Sequence, residues 1–307
     1  MQTVLAIILQ WAVIQASAVY MQQSPDYESA NVSQTSMGKV VEVLDTEGYW
    51  TKIRTPEPYE GWVNTMCLAF MTEEEKDAYI AAPKYICVDE YTHVYSGQSL
   101  KSEPVSDLLM GDIIRKGDME TRLWAEVILP SGQKGWVKDS KVRDFAFWAR
   151  SYGFSREKEK KQPEPSAANI VAVAQRFLGS AYVWGGMSVK GFDCSGLAGF
   201  AYFMNGILLP RDAKDQVRCG VSVPVEEMQA GDLVFFGETK VSHVGICTAP
   251  GKIIHSSQIV RSNSLDSGSA DYYGRNIIAV RRILGHVDAG KGAISIINSP
   301  LYFKQEK

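Results

Sequence analysis

Short runs in which apolar and polar residues alternate, cut by Gly, Pro, Asp and Asn, fill the first half of the chain. One series runs Met37-Gly38-Lys39-Val40-Val41-Glu42-Val43, then Tyr49-Trp50-Thr51-Lys52-Ile53, then Glu60-Gly61-Trp62-Val63. A second runs Met110-Gly111-Asp112-Ile113-Ile114, then Leu123-Trp124-Ala125-Glu126-Val127, then Lys134-Gly135-Trp136-Val137. Alternation with period two predicts half-buried antiparallel strands. Each series repeats one plan: a Gly turn, an alternating strand, a Trp-centred strand and a turn closed by Gly-Trp-Val. Two copies predict a duplicated small barrel rather than one large sheet. Between them, Thr72 to Ile80 reads as a short capped helix with Glu73, Glu74 and Glu75 in its first turn, ended by Pro83.

The pattern changes after the second copy. Arg156 to Pro165 is a charged, Pro-containing stretch and reads as a solvated connector. Ser166 then caps a predicted helix through Leu178, with Ile170, Val173, Ala174 and Phe177 on one face. A second helix follows Cys194, and Asp232–Phe236, His243–Cys247, Lys252–Ser256 and Ile278–Ile283 read as consecutive antiparallel strands. Segregated helices and strands predict an α+β domain.

Composition narrows the function classes. The 307 residues suffice for two or three domains, and 45% apolar with 22% charged is ordinary for a folded globular chain. A net charge of −3 gives no global field for nucleic acid. The five cysteines, Cys67, Cys87, Cys194, Cys219 and Cys247, lack metal-ligand spacing, so neither a metal nor another cofactor is expected. Cys67, Cys87, Cys219 and Cys247 read as small buried hydrophobes, with a Cys67–Cys87 bridge left open. Val4 to Ile14 is nearly all apolar and precedes Ala16-Ser17-Ala18, which reads as an export leader with no basic residue ahead of it. The alternatives for this run are a buried N-terminal strand and a misassigned start codon. The expected organisation is a leader over 1–18, a first barrel with linker helix over 19–82, a second barrel over 83–152, a charged linker over 153–165 and the α+β domain over 166–307. Export to the periplasm or cell envelope follows from the leader. No later segment is long and apolar enough to anchor the chain in a membrane, and a monomer is expected.

One cysteine carries the chemistry. Cys194 sits in Phe192-Asp193-Cys194-Ser195-Gly196-Leu197, at the start of the second helix and after the Gly-Gly turn of Tyr182-Val183-Trp184-Gly185-Gly186. An ordinary thiol has a pKa of about 8.5 and is mostly protonated at neutral pH. A helix N-terminus favours the thiolate, and backbone N–H groups there can stabilise an oxyanion. His243, on one predicted strand, is the candidate base, and His255, on the next, the candidate orienter. A turn at Pro250-Gly251 would put both imidazoles on one sheet surface. His93 and His286 lack such context and receive no role.

From about Ala167 to Leu284 the chain resembles the NlpC-type cell-wall cysteine peptidases, a papain-like family. The resemblance rests on Tyr182-x-Trp184-Gly185-Gly186, Asp193 to Leu197, Leu209-Pro210-Arg211-Asp212, Gly231 to Phe236 and both histidine segments. It implies a papain-like domain preceded by two SH3-like barrels, with Cys194 as nucleophile, His243 as base and His255 as third member. It further implies Tyr182 at the oxyanion region, and Asp193, Ser195, Arg211 and Asp212 around the substrate. The barrels extend the resemblance to γ-D-glutamyl-L-diamino acid endopeptidases of the dipeptidyl-peptidase VI type, which act on released peptidoglycan peptides, L-Ala-γ-D-Glu-diamino acid. There the first barrel closes one end of the cleft, and a Glu and a Tyr meet the free amino group of L-Ala. The matching positions are Glu28 and Tyr59, which by residue type alone also read as a surface Glu and a turn Tyr. Ala213 departs from the hydroxyl residue often found after Arg-Asp in that group. A peptidoglycan-binding protein without activity and an amidase or acyltransferase on the same scaffold are the competing readings.

Overall fold

The computed structural model describes residues 10–151 and 166–305. The charged connector therefore lies outside the described residues. The chain divides into two compact units, Met1–Asp144 with Pro300–Lys307, and Phe145–Ser299. Among the described residues, no helix is long and apolar enough to cross a membrane.

The first unit holds two seven-stranded antiparallel sheets. One comprises β1 (Trp11–Ile14), β2 (Val19–Gln22), β3 (Asn31–Thr35), β4 (Val40–Glu47), β5 (Trp50–Arg54), β6 (Glu60–Asn64) and β7 (Leu68–Met71). The other comprises β8 (Lys84–Cys87), β9 (Tyr91–Tyr95), β10 (Pro104–Leu109), β11 (Ile113–Glu120), β12 (Trp124–Ile128), β13 (Lys134–Lys138) and β14 (Val142–Asp144). Their strand orders are β3-β2-β6-β5-β4-β1-β7 and β10-β9-β13-β12-β11-β8-β14, the same order displaced by seven strands. The duplication read from the Gly-Trp-Val pattern is thus a duplication of topology. Alternation works as expected: Val41, Ile53 and Val63 turn into one core, and Ile114, Val127 and Val137 into the other.

The matching Gly turns show why the repeat carries Met-Gly. Gly38 and Gly111 adopt φ of +84° and +93°, a region open to glycine. Each N–H returns to the matching strand, Gly38 to the Ile14 carbonyl and Gly111 to the Cys87 carbonyl, both at 2.9 Å. Gly38 also lies against the second barrel, where a Cβ would fall 1.8 Å from the Ile113 carbonyl oxygen.

The apolar run read as an export leader contributes β1, so the first barrel starts before Val19. Trp11–Ile14 pairs with β4 on one side and β7 on the other, and Ala12, Val13 and Ile14 are buried. Its counterpart in the second barrel, β8, holds the same place between β11 and β14. Four apolar residues in a row suit a strand buried on both faces as well as a leader.

The linker helix α1 (Glu73–Ala81) forms as expected, with Thr72 and Glu75 making a reciprocal capping box. The second unit opens with α2 (Phe145–Arg150), so the unit boundary falls before the expected 152/153 division. Helix α3 (Ala167–Gln175) is capped by Ser166, whose hydroxyl accepts from the Asn169 N–H. Ile170, Val173, Ala174 and Phe177 are all buried, as their spacing predicts. A short hairpin of β15 (Met187–Ser188) and β16 (Gly191–Phe192) leads into α4 (Cys194–Phe203). After β17 (Ile207–Leu208), α5 (Ala213–Gln216) and β18 (Val221–Ser222) come β19 (Leu233–Gly237), β20 (Val241–Ala249), β21 (Lys252–Ser257), β22 (Ile259–Ser264), β23 (Ile277–Arg282) and β24 (Ile294–Ser295). The main sheet has the order β18-β23-β19-β20-β21-β22. Two features depart from the sequence expectation. Ile259–Ser264 is an additional edge strand, and β23 returns beside β19 rather than continuing beyond β21. Helix α4 packs on β20 and β21, which sets its N-terminus against the histidine strands.

All five cysteines are free, so Cys67 and Cys87 do not pair. Residues from Pro300 rejoin the first unit, where Leu301 packs against Val13, Val40, Met71, Tyr79 and Ile80.

Candidate active site

The thiol is placed by a close backbone contact. Asp193 is the N-cap of α4, and its Oδ1 accepts from the Gly196 N–H at 2.7 Å. The Asp193 N–H donates to the Gly186 carbonyl at 2.9 Å. A Cβ on Gly196 would lie 1.9 Å from that same Gly186 oxygen, and a Cβ on Gly186 would lie 2.4 Å from the Gly191 oxygen. The Gly-Gly turn and the Gly of Asp-Cys-Ser-Gly are therefore two halves of one contact, which seats the first turn of α4. The neighbouring Trp184 is left 69% exposed.

Arg211, 3% exposed, stiffens the same cap. Its guanidinium forks onto Asp193, Nη2 to Oδ2 at 2.6 Å and Nη1 to Oδ1 at 3.2 Å, and Nη1 also reaches the Ser195 hydroxyl at 3.0 Å. Ser195 donates to Asp193 at 3.2 Å. Gln216, fully buried on α5, donates to the Ser195 carbonyl at 3.0 Å and to the Pro210 carbonyl at 2.9 Å. Asp193, Ser195 and Arg211 thus form one buried network under the thiol. Asp212 is half-buried, stands as the N-cap of α5 without a side-chain capping bond, and pairs with Lys214 at 3.0 Å.

The histidines meet as the turn predicts. Gly251, at φ +72°, closes the β20–β21 hairpin. The register Ile246↔Ile254 sets Gly245 opposite His255, and His243 lies two positions along the same face. Because Gly245 has no side chain, the His255 ring crosses diagonally to His243, with Nδ1 2.6 Å from His243 Nε2. His255 Nε2 lies 2.8 Å from Oδ1 of Asn263 on β22. Asn263 was not singled out by sequence reasoning, because Ile259-Val260-Arg261-Ser262-Asn263-Ser264 lacks the apolar alternation of a strand. Tyr273 walls both rings, its centroid 4.4 Å from His255 and 5.6 Å from His243.

Electrostatics correct one expectation. The helix N-terminus does not hold the thiol as an anion. Burial, then the Asp193 charge, pushes the Cys194 pKa up, outweighing the Val244 and Ser195 N–H groups that favour the thiolate. Burial, the His255 charge and Arg275 lower His243 to about 3. Burial, Arg261 and Arg275 lower His255 to about 4 against the opposing effect of its hydrogen bond to the Asn263 oxygen. Each of these shifts favours the uncharged form of its group. The sulfur still lies at the histidine strand, since the Val244 N–H that favours its anion directly follows His243. Burial and the charges of Cys194 and Asp193 raise the half-buried Tyr182 hydroxyl to about 12, so it is a neutral donor near the sulfur.

Glu28 and Tyr59 belong to the first unit. Glu28 is exposed in the turn between β2 and β3, its N–H donating to Asp26 Oδ1 at 3.0 Å. Tyr59 is half-buried and packs against the first barrel's core, its carbonyl accepting from the Thr55 N–H.

Residues 179–282 match the model of the NlpC/P60 family, and residues 17–69 match that of the bacterial SH3 domain. A Bacillus subtilis protein named gamma-D-glutamyl-L-lysine dipeptidyl-peptidase is 30% identical over 268 residues, covering 82% of this chain and 81% of its own length. A Bacillus cereus protein of the same name is 29% identical over 82% of this chain and 75% of its own length. The crystal structure of an NlpC/P60 family protein from Bacillus cereus superposes with a TM-score of 0.73 at 24% identity, covering 89% of this chain and 99% of that one, which shows a shared fold. With its cysteine at a capped helix start, its paired histidines and its SH3-like barrels, the chain belongs to the NlpC/P60 family of cysteine peptidases.

Proposed function

We propose that the chain is a cysteine endopeptidase that hydrolyses the γ-D-Glu–diamino acid bond of peptidoglycan fragments bearing a free N-terminal L-Ala. One observation carries this specificity. The similarity to proteins named gamma-D-glutamyl-L-lysine dipeptidyl-peptidase spans 82% of the chain, barrels included, rather than the cysteine domain alone.

The geometry supports a two-step acyl transfer. His243 takes the Cys194 proton as the sulfur attacks the γ-carbonyl of D-Glu, in keeping with shifts that favour the uncharged form of each. The Cys194 N–H in the first turn of α4 and the Tyr182 hydroxyl are the donors at hand for the oxyanion. The C–N bond breaks, His243 returns its proton to the leaving amine, and L-Ala-γ-D-Glu remains as a thioester on Cys194. Water, deprotonated by His243, cleaves the thioester and restores the thiol.

The resemblance assigns recognition of the L-Ala ammonium to Glu28 and Tyr59. A carboxylate that pairs with an ammonium rejects a blocked amine, because the capped ligand leaves the charge unpaired. The test is to compare turnover of L-Ala-γ-D-Glu-L-Lys with that of its N-acetylated form. The free peptide is cleaved and the capped one is not, and Glu28→Ala narrows the difference. Equal rates on both peptides would reject the amine requirement, and transfer products in place of free L-Ala-γ-D-Glu would point to an acyltransferase.

A further inference from the structure

We propose that Asn263 is a positioning residue that fixes the tautomers of both imidazoles and so makes Nδ1 of His243 the base nitrogen. This rests on the peptidase reading for its kinetic consequence and on geometry alone for the tautomers.

The Asp271 carbonyl oxygen can only accept, and it lies 2.6 Å from the Asn263 amide nitrogen. That contact orients the amide, since the flipped amide would set two oxygens against each other. Oδ1 of Asn263 therefore faces His255 and must accept, so Nε2 of His255 carries a proton. A neutral imidazole has one N–H, so Nδ1 of His255 is bare and accepts. Its partner at 2.6 Å, Nε2 of His243, must donate. Nδ1 of neutral His243 then holds the lone pair, the state needed to receive a thiol proton. When His243 is protonated during attack, both its nitrogens donate, and the chain through His255 to Asn263 keeps every bond intact.

The surroundings lock this arrangement. Asn263 is 8% exposed and His255 is fully buried. The segment that supplies the Asp271 carbonyl also supplies Tyr273, whose N–H donates to the Ser264 carbonyl at 2.8 Å and whose ring covers both histidines. Asn263 thus ties the edge strand to the segment that walls the site, which places it to set orientation rather than to touch substrate.

The test has two arms. In the first, imidazole nitrogen shifts are recorded by NMR on the full chain with labelled histidine, assigned through His93→Gln and His286→Gln. The expected result is a neutral His255 with its proton on Nε2 and a neutral His243 with its proton on Nε2. A His255 proton on Nδ1 in the unsubstituted protein overturns the proposal, and this measurement needs neither a variant nor a substrate. In the second, Asn263→Leu lowers kcat on the order of 10- to 100-fold with KM unchanged, the scale of an outer partner that orients an imidazole. Asn263→Asp, which keeps the acceptor, recovers part of that loss. Unchanged kcat in Asn263→Leu, or equal loss in both variants, overturns the proposal. Turnover that survives Cys194→Ala would instead defeat the peptidase reading and leave the tautomer assignment standing.

Discussion

Gly245 and His255 face each other across the β20–β21 ladder so closely that a Cβ on Gly245 would lie 3.3 Å from the Cβ of His255. That spacing is tight for a carbon contact, and the hydrogen bond to His243 depends on the His255 ring crossing this gap. Gly245→Ala should displace the ring while leaving the fold in place. The expected outcome is a kcat reduced about 10-fold or more with little change in unfolding midpoint, because small misplacements of an orienting group are costly to rate. Steady-state kinetics alongside a urea melt check it, and full activity in Gly245→Ala would show that the ring has room to spare.

The depressed imidazoles set the direction of acid sensitivity. In the unfolded chain both titrate near 6.5, whereas in the folded protein His243 falls to about 3 and His255 to about 4. Below 6.5 the unfolded chain takes up protons that the folded chain does not. Stability is therefore lost as pH falls from 6.5 toward the folded values. Urea midpoints taken downward from neutral pH should decline less steeply in a His243→Gln, His255→Gln chain than in the parent. Parallel declines would show that the rings titrate normally in the folded protein. The acid limb of kcat/KM is expected below the ordinary imidazole value for the same reason.

Much of this was legible in the sequence, and the gaps have physical causes. Period-two alternation and the repeated Gly-Trp-Val turns announced two like barrels, because each strand buries one face. Asp193, Cys194 and the two histidines were visible because capping, nucleophilicity and imidazole chemistry each demand particular residue types. Asn263 was not, since the buried positions of its edge strand are Val260, Asn263 and Ser264, and two polar residues among three leave no apolar rhythm. The direction of the Cys194 shift was not legible either. The helix-terminus effect is legible from position, but the burial that outweighs it depends on tertiary packing. Trp11 to Ile14 shows a third limit, because a strand buried on both faces and a leader's apolar stretch look alike.

That last ambiguity is open to experiment. Removing residues through Ala18 would strip β1 from between β4 and β7, uncover Val41 and Leu68, and open the sheet at two edges. A chain starting at Val19 is expected to unfold at lower temperature than one starting at Gln10, with the loss confined to the first unit. Intact-mass measurement of the protein from its native host should find Trp11 to Ile14 retained. A native chain beginning at Val19 with an undiminished melting temperature would show that β1 is dispensable.

The central claim is that the Cys194 sulfur forms a covalent thioester with the L-Ala-γ-D-Glu half of its substrate. Its most direct test is mass spectrometry of the protein quenched in acid during turnover of L-Ala-γ-D-Glu-L-Lys. The account predicts an adduct of L-Ala-γ-D-Glu mapped to the peptide containing Cys194, absent in Cys194→Ala, which also releases no L-Lys. Release of L-Lys by Cys194→Ala at the parent rate would contradict it.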